Sequence, residues 1–301
     1  MTAFHVVGGT YTDDVYWVGS ELDFDVSLTA SGHERTPGGP GACLALALRR
    51  LGADVELTTA LGDQEDSTRA LSLLESEGVR VGPLRGTGPL DHTVTLVTPS
   101  LESVTVTRRE QPPLEAVHDP AAAPRPDTVL VVCSPSRLST LAARARGRRL
   151  VLVPHLTQCR ELAAMPSGRR ADLLGAVDLL VANRREFDLL APLPEISLVG
   201  AVAVTSGAGG SVLRTGDRRL RQPALSRGGT PRNPNGAGEA FTAALLVARA
   251  SGADWEPSLR AAAIHAGRHV CRRASLSFPR SSPRELVASG LTPTETEPAY
   301  G

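Results

Sequence analysis

The residues best suited to chemistry lie at positions 233–241, Asn-Pro-Asn-Gly-Ala-Gly-Glu-Ala-Phe. Glycines just before an amphipathic helix let the backbone approach a ligand closely, and the free N–H groups of the first helical turn favour an anion such as phosphate. Glu239 would repel a phosphate that was merely bound. Its carboxylate makes sense if it takes a proton from a nucleophile that attacks the phosphate. The alternative is an ordinary helix start with an acidic first turn.

A second glycine cluster, Thr-Pro-Gly-Gly-Pro-Gly-Ala at 36–42, opens another predicted helix. Three glycines in four positions suggest close approach to a ligand, but a structural turn explains them equally well. Asp13 and Asp14 follow a predicted strand and the Gly8-Gly9 turn. Open α/β sheets bind substrate hydroxyls at such strand ends, although surface aspartates are common there too.

Two further motifs follow predicted buried strands. Asn183 and Glu186 share a face if a helix starts there, and together they could hold a hydrated Mg²⁺ with its phosphates. Ordinary capping, with Asn183 as N-cap, is the alternative. Residues 204–210, Val-Thr-Ser-Gly-Ala-Gly-Gly, resemble a dinucleotide fingerprint, but 211–214 continue as a strand instead of opening a helix. This excludes a Rossmann NAD site and an NAD-dependent oxidoreductase, while a strand–turn–strand beside a nucleotide remains compatible.

Short apolar runs rich in Val and Leu, alternating with segments of helix length, predict a layered α/β fold with a mostly parallel central sheet. The predicted buried strands are 4–7, 129–132, 150–153, 178–182 and 201–205, and the clearest helices are 42–50 and 239–250. Alternating patterns at 15–28, 93–98 and 103–107 predict half-buried antiparallel strands of a small lid, roughly 13–34 and 90–110. We expect one domain over 1–290, a loop at 111–126 and a disordered tail at 291–301.

Bulk properties narrow the function classes. The 32 basic and 32 acidic side chains balance, which argues against a nucleic-acid or membrane partner. All basic residues are arginine, which excludes a Walker lysine, a Schiff base and a pyridoxal phosphate anchor. Four widely separated cysteines indicate neither a zinc site nor a disulfide framework. No leader-like or bilayer-length apolar segment is found, so a cytoplasmic location is expected.

Taken in order, these segments resemble the ribokinase-like (PfkB) carbohydrate kinase family along nearly the whole chain. Residues 8–13 resemble the family's first strand and turn with its sugar-binding Asp, and 37–42 resemble its substrate-side diglycine motif. Residues 183–186 match N-x-x-E, and 204–210 match V-T-x-G-x-x-G. Residues 233–241 align with the signature D-T-x-G-A-G-D-x-F, and 263–267 resemble the helix beside the adenine.

The resemblance implies a three-layer α/β/α fold with a small β lid, and phosphorylation of a hydroxymethyl group of a sugar, nucleoside or related compound with ATP and Mg²⁺. It also implies a homodimer joined through the lid strands. By the same resemblance, the site comprises an anion hole (Gly236, Ala237, Gly238), a base (Glu239), substrate contacts (Asp13, Gly38, Gly39, Cys43), nucleotide contacts (Asn183, Thr205, Gly207, Gly210, His265) and a metal-side carboxylate (Glu186).

Four residues depart from the family pattern. Glu239 replaces the catalytic Asp, and a carboxylate misplaced by roughly 1 Å can cost on the order of a hundredfold in rate. Asn233 replaces an Asp beside a monovalent-cation site, so potassium activation does not carry over. Cys43 replaces a frequent Asn and Pro40 a frequent Lys, which favours a substrate other than plain ribose. Two hypotheses result: a kinase for an unusual sugar or nucleoside, or a catalytically weak relative that binds a nucleotide or sugar ligand as a regulator.

Overall fold

The computed structural model describes residues 2–86, 88–111, 128–133, 149–225 and 229–291. The strands within these ranges are β1 (Ala3–Val7), β2 (Tyr11–Val18), β3 (Ala30–Gly38), β4 (Asp54–Leu61), β5 (Arg80–Arg85), β6 (Asp91–Val97), β7 (Ser103–Arg108), β8 (Val129–Cys133), β9 (Leu150–Val153), β10 (Leu179–Asn183), β11 (Ala201–Thr205), β12 (Ser211–Thr215) and β13 (Arg218–Gln222). The helices are α1 (Pro40–Arg50), α2 (Glu65–Ser76), α3 (Leu156–Ala164), α4 (Ser167–Gly175), α5 (Arg184–Leu190), α6 (Ala237–Ala250), α7 (Trp255–Val270) and α8 (Pro283–Leu291).

The main sheet runs in the order β13-β12-β11-β10-β9-β8-β1-β4-β5. Its strands are parallel except at the β13-β12-β11 edge, where the two pairs are antiparallel. Successive residues of the central strands enter opposite cores: Val131 packs with α1 and α6, whereas Leu130 and Val132 pack with α3 and α4. This two-sided burial explains their continuous apolar runs. The predicted three-layer α/β arrangement is confirmed.

A smaller sheet, in the order β3-β2-β6-β7, stands beside the main one and is called the small sheet below. Strands β2 and β6 are parallel, while β6 and β7 form the hairpin predicted at 93–107. The strand prediction for 19–28 is wrong, because strand structure stops at Val18 and resumes at Ala30. Asp25 there has φ 59°, and Phe24 is 91% exposed, so this segment has no buried face to pair.

Other sequence predictions have mixed outcomes. The five predicted buried strands are β1, β8, β9, β10 and β11, but β4 and β5 at the far edge were not predicted. All four cysteines are free thiols. Most of the predicted 111–126 loop and nearly all of the predicted tail lie outside the described residues. Among the helices that are described, none combines the length and apolar character needed to cross a bilayer.

Candidate active site

The candidate residues converge at the carboxyl ends of the parallel strands, where open α/β sheets place their ligands. Asn183 ends β10 and Thr205 ends β11, while Asp13 lies on β2, just after the turn that follows β1. Glu239 lies in the first turn of α6. Burial and then the charge of Glu239 raise the pKa values of both Glu186 and Cys43, so side chains from distant parts of the sequence share one electrostatic environment.

The start of α6 is built on a sharp turn. Gly236 has φ 83°, a left-handed conformation that favours glycine, and its carbonyl accepts the first helical hydrogen bond from the Ala240 N–H at 2.9 Å. Gly238 is exposed. A methyl group added there would have, among the described residues and outside its own helical turn, nothing within 4 Å. The Ala237 N–H donates to the Pro234 carbonyl at 3.2 Å, whereas the space beside Gly238 is open, as an anion site at this helix start requires.

The turn at Gly236 is supported from behind by His269 on α7. His269 Nε2 lies 2.7 Å from the carbonyl oxygen of Asn235, and its ring stacks on Phe278 with centroids 4.7 Å apart. A Cβ at position 236 would approach His269 Nε2 to 2.9 Å. The histidine thus holds the backbone immediately before the helix, a role that the sequence did not reveal because His269 is 34 residues away from Asn235 along the chain.

Glu239 has the electrostatics of a general base. Its side chain is half-buried, and burial raises the pKa of its carboxyl group, with the charge of Asp13 raising it further. Burial also raises the pKa of Asp13, against the effect of hydrogen bonds from the Thr93 hydroxyl at 2.5 Å and the Gly39 N–H at 3.3 Å. Two carboxylates with raised pKa values facing one cleft are typical of sites that move protons.

The diglycine motif makes room for Asp13. A Cβ at Gly38 would lie 1.9 Å from Asp13 Oδ2, and Gly39 has φ 87°. Gly38 is therefore required by the position of the aspartate and Gly39 by its backbone conformation, beside Gly9 and Tyr11, whether or not they also contact substrate. Asp14 belongs to the other face of the small sheet, where it accepts hydrogen bonds from the side chains His33, His92 and Arg35 at 2.7, 2.7 and 3.2 Å. The two adjacent aspartates thus serve different sites.

Cys43 lies on α1, and burial together with the charges of Glu239 and Asp13 raises the pKa of its thiol well above the usual value. Cys133, at the end of β8, has its pKa raised by burial and by Glu239 in the same way. Both side chains therefore remain neutral thiols at physiological pH. Cys43 is half-buried and offers a small, weakly polar surface, whereas Cys133 is 1% exposed, and neither is suited to nucleophilic catalysis.

Asn183 and Glu186 form the capping box that was the alternative to a metal site. The Glu186 N–H donates to Asn183 Oδ1 at 2.9 Å, and the Asn183 N–H donates to Glu186 Oε2 at 2.8 Å. The cap leaves Glu186 Oε1 facing His155, whose Nδ1 is 3.8 Å away. Burial, reinforced by the charge of Glu239, raises the pKa of Glu186 to about 7. The capping role and a ligand role are therefore compatible.

Arg109 and His155, which the sequence did not single out, lie between these two groups of residues. Arg109 Nη1 donates to Asp91 Oδ2 at 2.8 Å and to the Tyr11 hydroxyl, and its guanidinium lies 4.9 Å from the centroid of the Tyr11 ring. Burial and then the charge of Arg109 lower the pKa of His155 to about 4, so this histidine is neutral. Arg109 thus places positive charge at the junction of the Asp13 and Glu186 sides.

The remaining nucleotide-side candidates separate into two groups. Thr205 ends β11, and Gly207 and Gly210 bound the short 3-10 turn that leads into β12. Because β12 runs antiparallel to β11, the strand–turn–strand prediction is confirmed. His265, by contrast, is 1% exposed on α7, where burial lowers the pKa of its ring to about 4. Its proposed contact with the nucleotide stays a prediction.

The described residues include groups whose chemistry suits Mg²⁺ and the phosphates of ATP. Among the described residues, no three His, Cys, Asp or Glu side chains cluster as a metal cage. Mg²⁺ is commonly held by one or two carboxylates with substrate phosphates and water, so Glu186 alone on the protein side fits that chemistry. The open space before Gly238 likewise fits a phosphate. The described residues are therefore compatible with binding of both Mg²⁺ and ATP.

Comparisons with known proteins identify the family of this chain. The family model for pfkB family carbohydrate kinases matches residues 4–281. Ribokinase from Bacillus subtilis is 24% identical over 266 residues, which cover 81% of this chain and 85% of the relative.

Two solved structures share the fold. A Methanocaldococcus jannaschii nucleoside kinase of the ribokinase family superposes with a TM-score of 0.78 at 18% identity, covering 96% of this chain and 98% of its own. Arabidopsis thaliana ribokinase complexed with ribose and ATP superposes with a TM-score of 0.73 at 20% identity, covering 97% and 99%. The resemblance found in the sequence motifs is confirmed, and the chain belongs to the pfkB family of carbohydrate kinases.

Proposed function

We propose that this protein is an ATP-dependent kinase that transfers the γ-phosphoryl group to a hydroxymethyl group of a sugar, nucleoside or related small molecule. The observation that carries the proposal is the Glu239 carboxylate, whose pKa is raised, in the first turn of a helix with open space beside Gly238. Ribose and ATP bound to the Arabidopsis relative support the choice of substrate class.

In this proposal Asp13 accepts a hydrogen bond from a substrate hydroxyl and orients the acceptor. Glu239 takes the proton from the attacking hydroxymethyl oxygen. The new O–P bond forms as the bond between the γ-phosphorus and the bridging oxygen breaks, and ADP leaves with the electron pair. The N–H groups at Gly236 and Gly238 stabilise the charge that develops on the phosphoryl oxygens, whereas the Ala237 N–H is already donated to the Pro234 carbonyl at 3.2 Å.

Charge compensation comes from arginine in a chain without lysine. Arg109 is held by Asp91 and Tyr11 at the junction of the two sides of the cleft, where it can face the phosphoryl group in transfer. When bound, Mg²⁺ supplies further neutralisation of the phosphates, and Glu186 is its protein ligand. Thr205, Gly207, Gly210 and Asn183 border the nucleotide.

The proposal includes a homodimer formed through the small sheet. One face of that sheet carries apolar side chains that are half-buried or exposed, with Val104 at 44% and Val106 at 68% exposure beside Val94 and Leu96. A second copy of the chain covering this face would bury them. Because the reaction uses ATP, we place the protein in the cytoplasm.

The test is ATP turnover against a panel of sugars and nucleosides with the parent, Glu239→Gln and Glu239→Asp. We expect turnover in the parent and its loss in Glu239→Gln, because the amide cannot accept the proton, while ATP–Mg²⁺ still raises the melting temperature of both. Nucleotide stabilisation without any turnover in the parent, together with turnover in Glu239→Asp, would favour the weakly catalytic binding protein. Stabilisation by NAD and not by ATP–Mg²⁺ would overturn the assignment.

A further inference from the structure

A chain of hydrogen bonds joins the small sheet to the turn that opens α6. Glu34 on β3 accepts through Oε2 from the Ser275 N–H at 3.1 Å and from the Ser275 hydroxyl at 3.2 Å. Ser275 Oγ in turn accepts from Asn233 Nδ2 at 3.1 Å. Asn233 Oδ1 accepts from the Asn235 N–H at 3.0 Å. Four residues thus connect the small sheet to the residue immediately before Gly236.

The middle of this chain is shielded from water. Asn233 is 1% exposed and Ser275 is 8% exposed, and Asn233 Nδ2 also donates to the carbonyl of Arg273 at 2.8 Å. A buried polar group that loses its partner bears the full cost of desolvation, so such networks form or break as a unit. The loss of Glu34 at one end is therefore expected to reach Asn235 at the other.

The neighbouring strand of the small sheet contacts the same two segments. Trp17 on β2 donates through Nε1 to the carbonyl of Arg232 at 3.3 Å, and the guanidinium of Arg273 lies 5.5 Å from the centroid of its indole. Strands β2 and β3 of the small sheet thus contact Arg232, Arg273 and Ser275, near the start of α6. The small sheet cannot move away without breaking these contacts.

We propose that Glu34 is a positioning residue that couples closure of the small sheet to assembly of the phosphate cradle at residues 235–238. The inference rests on the proposed function. It deepens that function by stating when the cradle forms: only while the small sheet is in the position seen here. Such coupling assembles the catalytic site when the acceptor is enclosed, and it limits transfer of the phosphoryl group to water when the acceptor is absent.

Amide hydrogen exchange in the free protein tests the coupling without relying on activity. Glu34→Ala is expected to speed exchange at the Ser275 N–H, and also at the Asn235 N–H, by about tenfold or more. Glu34→Gln keeps an acceptor oxygen and should restore slow exchange at both. Glu21→Ala is the matched control, because among the described residues that carboxylate accepts hydrogen bonds from Ser100 and Thr98, which belong to the small-sheet side. Faster exchange at Ser275 with no change at Asn235 would overturn the inference.

The kinetic arm separates positioning from folding. Glu34→Ala should lower kcat about tenfold or more, raise ATP hydrolysis relative to phosphoryl transfer, and change the KM for ATP less than about threefold. Glu34→Gln should recover both rates. Equal losses in the two variants, or an unchanged ratio of hydrolysis to transfer, would overturn the coupling. A parent that turns over no acceptor would count against the proposed function, whereas the exchange result would still decide the coupling.

Discussion

The substitution Gly238→Ala is expected to have opposite effects on folding stability and on catalytic activity. Gly238 is the second residue of α6, it has no left-handed φ, and among the described residues outside its own helical turn nothing lies within 4 Å of an added methyl group. Alanine is a better helix former than glycine by up to about 1 kcal/mol. The free protein should therefore be stabilised, with a melting temperature higher by about 1–3 °C.

The same methyl group would project into the space where the γ-phosphoryl group is proposed to lie. A shift of the phosphoryl group by roughly 1 Å costs on the order of a hundredfold in rate. We therefore expect kcat/KM to fall about a hundredfold while stability rises. Scanning calorimetry of the free protein and turnover with ATP–Mg²⁺ would measure the two effects separately.

Gly168→Ala is the matched control, because Gly168 is also the second, exposed residue of a helix, α4, with nothing within 4 Å among the described residues outside its own turn. It should gain similar stability and keep full activity. If Gly238→Ala were stabilised to the same extent and remained within about twofold of parental activity, no phosphoryl group would occupy that space. The assignment of an anion hole at this helix start would then be refuted.

Three further predictions use the surrounding groups. The pKa of Glu186 is raised to about 7. Because the metal binds the ionised carboxylate, affinity for ATP–Mg²⁺ should rise about tenfold per pH unit below pH 7 and level off above it. Titration calorimetry should show a flat pH profile for Glu186→Gln, and a flat profile for the parent would contradict this role. Arg109→Ala should lower kcat/KM about tenfold or more. The control Arg108→Ala loses an exposed ion pair with Glu110 and should change kcat/KM little. Equal effects of the two substitutions would contradict a role of Arg109 in phosphoryl transfer. Asn233 donates two hydrogen bonds and carries no charge where the family has a carboxylate beside a monovalent-cation site. Turnover should therefore be equal in potassium and tetramethylammonium salts. A tenfold drop in turnover without potassium would contradict this prediction.

The sequence predicts those parts of the fold whose signal is local. Strands such as β8 and β11 are buried on both faces, so their composition alone marks them. Strand β4 contains Asp54, Glu56 and two threonines among its apolar residues, and it escaped prediction although most of its residues are buried. Its place next to β1 depends on pairing with a segment 50 residues earlier, which composition does not encode.

The candidate site likewise has one part that the local sequence predicts and another part that it does not. The chemistry of residues 236–239 follows from a helix start and is readable in nine consecutive letters. Arg109 and His155 could not be inferred, because only the folding of the hairpin β6–β7 toward the start of α3 brings them into one electrostatic environment. The motif at 183–186 shows a different limit: the capping box is present, but it does not exclude a metal ligand, since it uses one oxygen of Glu186 and leaves the other facing His155.

Glu239 and Cys43, two of the residues that depart from the family pattern, lie near each other in the structure. Glutamate adds a methylene where the family has aspartate, while cysteine is smaller than the asparagine it replaces, and the charge of Glu239 acts directly on the Cys43 thiol. The longer carboxylate of Glu239 therefore lies beside a smaller side chain, and burial raises the pKa of that carboxyl group. The rate penalty expected for a displaced base presumes an unchanged surrounding. Because the surrounding has changed with it, Glu239→Asp alone should leave its carboxylate short of the acceptor and be slower than the parent.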